Sequence, residues 1–176
     1  KPEISTKVNC LNFGFVPGGT TASDSLLIFN DGCADLNISN VVFAHTDFSW
    51  GNTIPLISIG DSAWLKVNYS PTSPGNVNSS FVIYNNDTAY SVCLTASSVM
   101  APTSAFDVTV NSVCDGIVDF SDNSSNNPNQ WLYDFGDGTI STQPNTQHTY
   151  SKPGIYDVYL VTTNLAGSDT LFKQVD

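Results

Sequence analysis

The sequence has no arginine, one methionine and two histidines, and charged side chains make up only 12 % of its 176 residues, about half of the usual ~25 %. Its five basic residues are all lysines, and 16 acidic residues against them give a formal net charge of -11. A nucleic-acid partner is excluded, because binding a phosphate backbone needs clustered cations to release counterions. Lys1, Lys7, Lys66, Lys152 and Lys173 are scattered singly. Anionic membrane surfaces are disfavoured for the same reason. No run approaches the ~18 apolar residues of a transmembrane helix, so no membrane insertion is expected. The opening "KPEISTKVN" lacks the apolar core of a signal peptide, so the chain is expected to be a mature or excised piece of something longer.

Catalytic and metal signatures are equally scarce. No GxSxG, HExxH or DTG run occurs, and the shortage of histidine and arginine removes the usual acid, base and oxyanion-stabilising groups. The expectation is a non-enzyme with no cofactor. The four cysteines, Cys10, Cys33, Cys93 and Cys114, have no CxxC spacing and no histidine close by, which argues against zinc. Antiparallel neighbouring strands would bring Cys10, at the start of one strand, to Cys33, just past the end of the next. That pair is the expected disulfide; Cys93 and Cys114 read as small unpaired residues.

Helical periodicity is absent, and short alternating segments take its place. Leu11-Phe13-Phe15, Leu26-Ile28, Leu36-Ile38, Ala63-Leu65-Val67-Tyr69, Phe81-Ile83 and Tyr90-Val92-Leu94 each put apolar side chains on one face of a strand. Turn clusters such as "PGGTT", "NDGCAD" and "SPTSPGN" separate them. Small residues and a proline interrupt the pattern at 99–105, as an interdomain linker would. A second set follows: Phe106-Val108-Val110, Ile117 with Val118 and Phe120, Trp131-Tyr133-Phe135, Tyr156-Val158-Leu160, and Leu171 with Phe172. The expected architecture is all-β, two tandem Ig-like antiparallel sandwiches over residues 1–98 and 106–176.

The densest chemistry lies in "NQWLYDFGDGT", residues 129–139. Gly136 and Gly138 can take positive φ, and the Asp134 and Asp137 carboxylates can accept bonds from turn N–H groups. A phosphate cradle would need a helix N-terminus behind the turn, and an EF-hand would need oxygen ligands through a twelve-residue loop. Neither follows, so the turn is expected to be a structural lock. Tyr150, ahead of Pro153-Gly154, is expected to bond backbone as a tyrosine corner. His148 reads as a satisfied histidine rather than a ligand.

"WLYDFGDGTISTQPNTQHTYSKPGIYDVYLVTTNLAGSDT" closely resembles the PKD (polycystic kidney disease) domain, in which an aromatic-Asp-Phe-Gly-Asp-Gly turn precedes His-x-Tyr and Pro-Gly-x-Tyr-x-Val. The resemblance implies an Ig-like sandwich from about Phe106 to Asp176. Tyr133 stands where the family usually has Trp, and its hydroxyl needs a partner. Some PKD modules bind calcium through an acidic segment ahead of this strand. Here "SDNSSNNPNQ" offers Asp122 alone, and no metal is expected. The first half, through "LNFGFVPGGTTASDSLLIFNDGCADLNIS" and the Gly60 turn, resembles Ig-like sandwiches of the ASH and major-sperm-protein type.

These readings point to a non-catalytic extracellular or cell-surface module, a spacer or assembly subunit of a secreted or surface protein. Its partner would be protein, either other copies or neighbouring domains. The pairing of the two sandwich types resembles surface proteins of gliding Gram-negative bacteria. The alternative is a carbohydrate-binding accessory of a secreted hydrolase, with polysaccharide as partner. Trp64 is sent outward by the alternation around it, and Trp50 lies in the turn "FSWGNT"; both are candidate surface contacts. Ser25, Ser62, Thr88 and Thr170 each follow an aspartate and precede an apolar residue. These triplets resemble the O-glycosylation signal of that bacterial group, and ordinary Asp-Ser and Asp-Thr turn preference accounts for them equally.

Overall fold

The computed structural model describes residues 1–112 and 114–176. It divides into two compact units, Lys1–Ser98 and Val99–Asp176. Among the described residues every regular element is a β-strand, so the chain is all-β. The first unit contains β1 (Ile4–Thr6), β2 (Cys10–Pro17), β3 (Ala22–Asn30), β4 (Ile38–Phe43), β5 (Phe48–Trp50), β6 (Ser62–Tyr69), β7 (Gly75–Asn85) and β8 (Tyr90–Val99, whose last residue belongs to the second unit). They form two four-stranded sheets, ordered β1-β3-β6-β5 and β2-β8-β7-β4.

The inner faces of these sheets meet in one core. Leu26, Ile28, Leu65, Val67, Phe81, Ile83, Val92 and Leu94 are fully buried, each one step of two from the next on its strand. The buried Asn30 side chain ties the β3 end to three segments: its Oδ1 accepts from Glu3 N (3.3 Å) and Gly32 N (3.2 Å), and its Nδ2 donates to Ala34 O (2.9 Å) and Ile57 O (3.0 Å). Asn30 itself is fully buried, so these four bonds supply the partners that a buried amide needs.

Two expectations about this unit are corrected. Alternation along β2 breaks at Gly14, which has φ 62° and donates its N–H to Asn12 Oδ1 at 2.9 Å. Past that point the faces exchange, so Phe15 is exposed and Val16 is buried. The disulfide joins Cys10 to Cys93, with Cα atoms 4.4 Å apart, and Cys33 is free and exposed. The Cys10–Cys33 expectation required β2 and β3 to share a sheet, and they do not. Cys93 is on β8, the hydrogen-bonded neighbour of β2. Cys93 N donates to Asn9 O (2.9 Å) and Ser97 Oγ to Gly14 O (3.3 Å), so the two strands run in the same direction side by side, and the 4.4 Å spacing puts the two Cβ atoms within bridging reach.

The second unit contains β9 (Phe106–Ser112), β10 (Ile117–Asp122), β11 (Gln130–Asp134), β12 (Ile140–Ser141), β13 (Asn145–Thr149), β14 (Tyr156–Asn164) and β15 (Gly167–Val175). Its sheets are ordered β13-β10-β9 and β12-β11-β14-β15. Phe106, Phe120, Tyr133, Phe135, Val158 and Leu160 fill the space between them. The stretch expected as a linker is bonded into this unit. Ser104 N donates to Asp169 Oδ2 (2.7 Å), Ser104 Oγ donates to Asp169 O (2.8 Å), and Asn164 Nδ2 donates to Met100 O (2.8 Å). Small residues there serve close packing rather than flexibility.

Candidate functional site

The acidic glycine turn closes the hairpin between β11 and β12. Phe135 N donates to Thr139 O (3.2 Å), and between them Gly136 and Gly138 take φ of 79° and 90°. Glycine is required at Gly136 twice over, because a Cβ there would also meet the Asp157 carbonyl oxygen at 2.5 Å. Both turn carboxylates are engaged. Asp134 Oδ1 accepts from Gly136 N (3.0 Å); Asp137 Oδ1 accepts from Thr139 N (3.0 Å) and Thr139 Oγ1 (2.6 Å).

The second oxygen of Asp137 lies 2.8 Å from His148 Nε2, a contact that the sequence reading missed. The imidazole lies flat on Phe135 (centroids 4.2 Å, planes 2° apart) and meets the Tyr150 ring edge-on at 4.5 Å. Tyr150 OH donates to Phe135 O (3.0 Å), its N donates to Gly116 O (2.9 Å), and its ring stacks on Tyr156 at 3.9 Å. Asp134, Gly136, Asp137, Gly138 and Tyr150 are thus brought together in one corner, with His148 as its hinge pin.

Electrostatics follow from this packing. Burial acts to raise the Asp137 carboxyl, but the bonds from Thr139 and His148 outweigh it and hold the group below its ordinary value. Burial pushes the Tyr150 phenol well above its usual range, and the Asp137 charge adds to the effect. Tyr133 is raised by burial and by Asp122, and its hydroxyl donates to Pro144 O at 3.3 Å.

An Asp-His-Thr grouping invites comparison with a nucleophilic triad. In a triad the carboxylate orients one ring nitrogen while the other activates the hydroxyl. Here Asp137 Oδ2 and Thr139 Oγ1 both lie on the same nitrogen, His148 Nε2, at 2.8 and 3.5 Å. The Thr139 proton is moreover already directed at Asp137 Oδ1. The arrangement can hold a turn shut; it has no free base for the hydroxyl.

The carboxylates that could be offered to calcium are spoken for locally. Asp122 accepts from Ser124 Oγ (2.5 Å) and Trp131 Nε1 (2.9 Å), Asp115 from Ser112 Oγ (2.7 Å), and Asp119 from Gln147 Nε2 (2.8 Å) and Asn111. Among the described residues no three His, Cys, Asp or Glu side chains converge.

The remaining candidates do not cluster. Trp64 faces out of β6 at 58 % exposure, whereas Trp50, opposite the buried Val67, sits at an inward position of edge strand β5 and is 38 % exposed. They share no platform. Asn52 brackets the strand beside Trp64, accepting from Lys66 N (2.6 Å) and donating to Trp64 O (2.8 Å). Ser25, Ser62, Thr88 and Thr170 are all exposed.

Two Ig-like sandwiches in tandem, with the polar turn bound to its own backbone, define a modular protein of a typically non-catalytic kind. The chain belongs to the HYDIN/CFA65/VesB-like Ig-like domain family through residues 2–98, and residues 99–176 match the PKD domain. No curated protein matches it. Among solved structures it is similar to a Porphyromonas gingivalis protein of unknown function (17 % identity, 55 % of this chain and 46 % of that one, TM-score 0.50). It is also similar to the PKD1 domain of Vibrio anguillarum Epp (22 %, 44 % and 93 %, 0.40) and to the ASH/PapD-like domain 7 of human CEP192 (12 %, 55 % and 85 %, 0.45). The chain spans less than half of the Porphyromonas protein.

Proposed function

We propose that this chain is a structural segment of a secreted or surface-exposed bacterial protein, holding neighbouring parts in place and associating with protein partners. The observation that carries this reading is the inward commitment of the acidic corner: both oxygens of Asp137 and Oδ1 of Asp134 are bonded to the turn or to His148. The Cys10–Cys93 bridge supports an oxidising compartment. The surface, poor in charge, leaves edge strands such as β2 and β4 without the lysines that usually blunt edge association. A hydrolase substrate screen tests the non-catalytic part. Turnover that survives purification and disappears in folded Asp137→Asn would refute it. Self-association, measured by sedimentation across concentration, tests the assembly part.

A second reading, a polysaccharide-binding accessory, draws on the exposed Trp64. Retention of the native protein on insoluble polysaccharide, lost in Trp64→Ala, would favour it.

A further inference from the structure

Each unit presents one sheet face in which apolar side chains are exposed, and the two faces differ in charge. In the first unit the outward positions of β1-β3-β6-β5 include Leu27 and Trp64, directly opposite one another, with Phe29 one diagonal step away. Lys66 follows Trp64 by two residues, and Lys7 Nζ lies 5.3 Å from the Phe29 ring centre. The other outward strand positions of this sheet are serines and Asn68, and none is a carboxylate.

In the second unit one outward row crosses β12-β11-β14-β15 as Ile140, Asp134, Tyr159 and Phe172. Tyr159 and Phe172 pack with ring centres 5.1 Å apart yet remain 43 % and 45 % exposed, and Leu132 beside them is 40 % exposed. Asp157, two residues before Tyr159, joins Asp134 as the charge of this face, and no lysine stands at an outward position. The first face is therefore aromatic and cationic, the second aromatic and anionic.

We infer that these faces are the two halves of one contact between copies of the chain, the Trp64 face of one copy seating on the Tyr159–Phe172 face of the next. Two geometric facts support a second copy as the occupant. Trp64 and Lys66 are separated by two residues of one strand, about 6.8 Å, and so are Tyr159 and Asp157. A single docking therefore sets indole against the Tyr159–Phe172 pair while Lys66 meets Asp157. Moreover, the Asn52 clamp and the Asp157–Gln174 bond (3.0 Å) hold both sides in place before contact, which lowers the ordering cost of binding. The contact is heterologous, so each copy keeps one face free and growth continues into a ring or a filament. This inference rests on the assembly reading above and names its surface.

Sedimentation velocity on the native two-unit protein, with Trp64→Ala, Tyr159→Ala and their equimolar mixture, tests it. Native protein is expected to form a concentration-dependent series beyond dimer. Each variant alone is expected to associate at least about 10-fold more weakly. The mixture should stop at a dimer, because only one intact pair of faces remains between unlike copies. Lys66→Asp and Asp157→Lys, which leave the aromatics in place, should each weaken association and restore it when mixed. Native association that survives both alanine variants overturns this contact and leaves the assembly reading standing. A native protein that is monomeric at every concentration overturns both, including the case in which Trp64 is needed only for retention on polysaccharide.

Discussion

Gly136 and Gly138 occupy the same turn with similar left-handed backbones, yet their surroundings differ, and an alanine at each separates two costs. A Cβ at Gly138 would meet nothing within 4 Å, so Gly138→Ala carries only the conformational penalty of an L residue at φ 90°, about 1–2 kcal/mol. At Gly136 the same penalty applies, and the new Cβ lies 2.5 Å from Asp157 O and 3.0 Å from Asp157 N. Those atoms are β14 backbone, paired on one side with β15 at Gln174, so no flexible side chain can yield. Either β14 shifts or the turn opens and loses the Asp134 to Gly136 bond, adding about 1–3 kcal/mol, the range of overpacking in a well-filled interior. Gly136→Ala should therefore cost about 2–5 kcal/mol in total. For a domain of this size each kcal/mol moves Tm by roughly 4–8 °C. Denaturant unfolding followed by Trp131 fluorescence, in a Trp50→Phe and Trp64→Phe background, isolates the second unit. Equal losses at the two positions would refute the close-approach argument and leave φ alone as the reason for both glycines.

Other outcomes are expected of the same molecule. Because the Asp137 carboxyl is held below its unfolded value, its contribution is complete above roughly pH 4 and is lost as the pH falls through the lower folded value; Asp137→Asn should flatten the acid limb of the second unit's stability profile without moving its neutral plateau upward. Reduction, or Cys10→Ser with Cys93→Ser, should destabilise the first unit by about 2–4 kcal/mol and leave the second unit's transition in place, and non-reducing peptide mapping should recover Cys10 joined to Cys93. Raising salt should strengthen self-association, because repulsion between copies of net charge -11 acts at long range and is screened within ~8 Å at physiological ionic strength, while lysine–aspartate pairs act at contact; EDTA should leave both melting transitions unchanged, and a large drop would reveal a calcium site. Intact mass of the protein from its native source should show added sugar if the exposed Ser25, Ser62, Thr88 and Thr170 are modified, and an unshifted mass would dismiss the triplets as turn chemistry.

What could be read from the sequence divides along a physical line. A strand between a core and solvent must alternate, so Ala63-Leu65-Val67-Tyr69 disclosed both its buried face and the outward position of Trp64. The turn chemistry of Asp134, Gly136, Asp137 and Gly138 is written within a few residues and was legible for that reason. Alternation fails where a single residue changes phase, as at Gly14, because one left-handed glycine exchanges the faces of everything after it on the strand. It is mute where two apolar residues adjoin: Leu171 and Phe172 read alike until the β14–β15 pairing turns Leu171 inward and sets Phe172 beside Tyr159 on the outer face. Composition is mute in the same way at 99–105, since the small polar residues of a linker are also those that bond a segment closely, as Ser104 does with Asp169 and Thr162.

Period two tells a residue which way it faces and says nothing about which sheet it joins. That missing datum explains together the misplaced disulfide and the unnamed partner of His148. Cys10 and Cys33 look adjacent only if β2 and β3 pair, and the chain instead crosses between sheets at that turn, leaving β8, more than eighty residues later in sequence, to supply the bridging partner. His148 likewise sits on β13, in the sheet with β10 and β9, while Asp137 belongs to the hairpin of β11 and β12 in the other sheet. Their contact spans the two layers, where no periodicity connects the residues. Sheet membership is decided by which pairings bury the aromatic set Phe106, Phe120, Tyr133 and Phe135 as one body, a property of all the strands at once. A local motif can therefore be recognised before its neighbours are known, whereas the function of a surface waits on the pairing that decides which side chains share it.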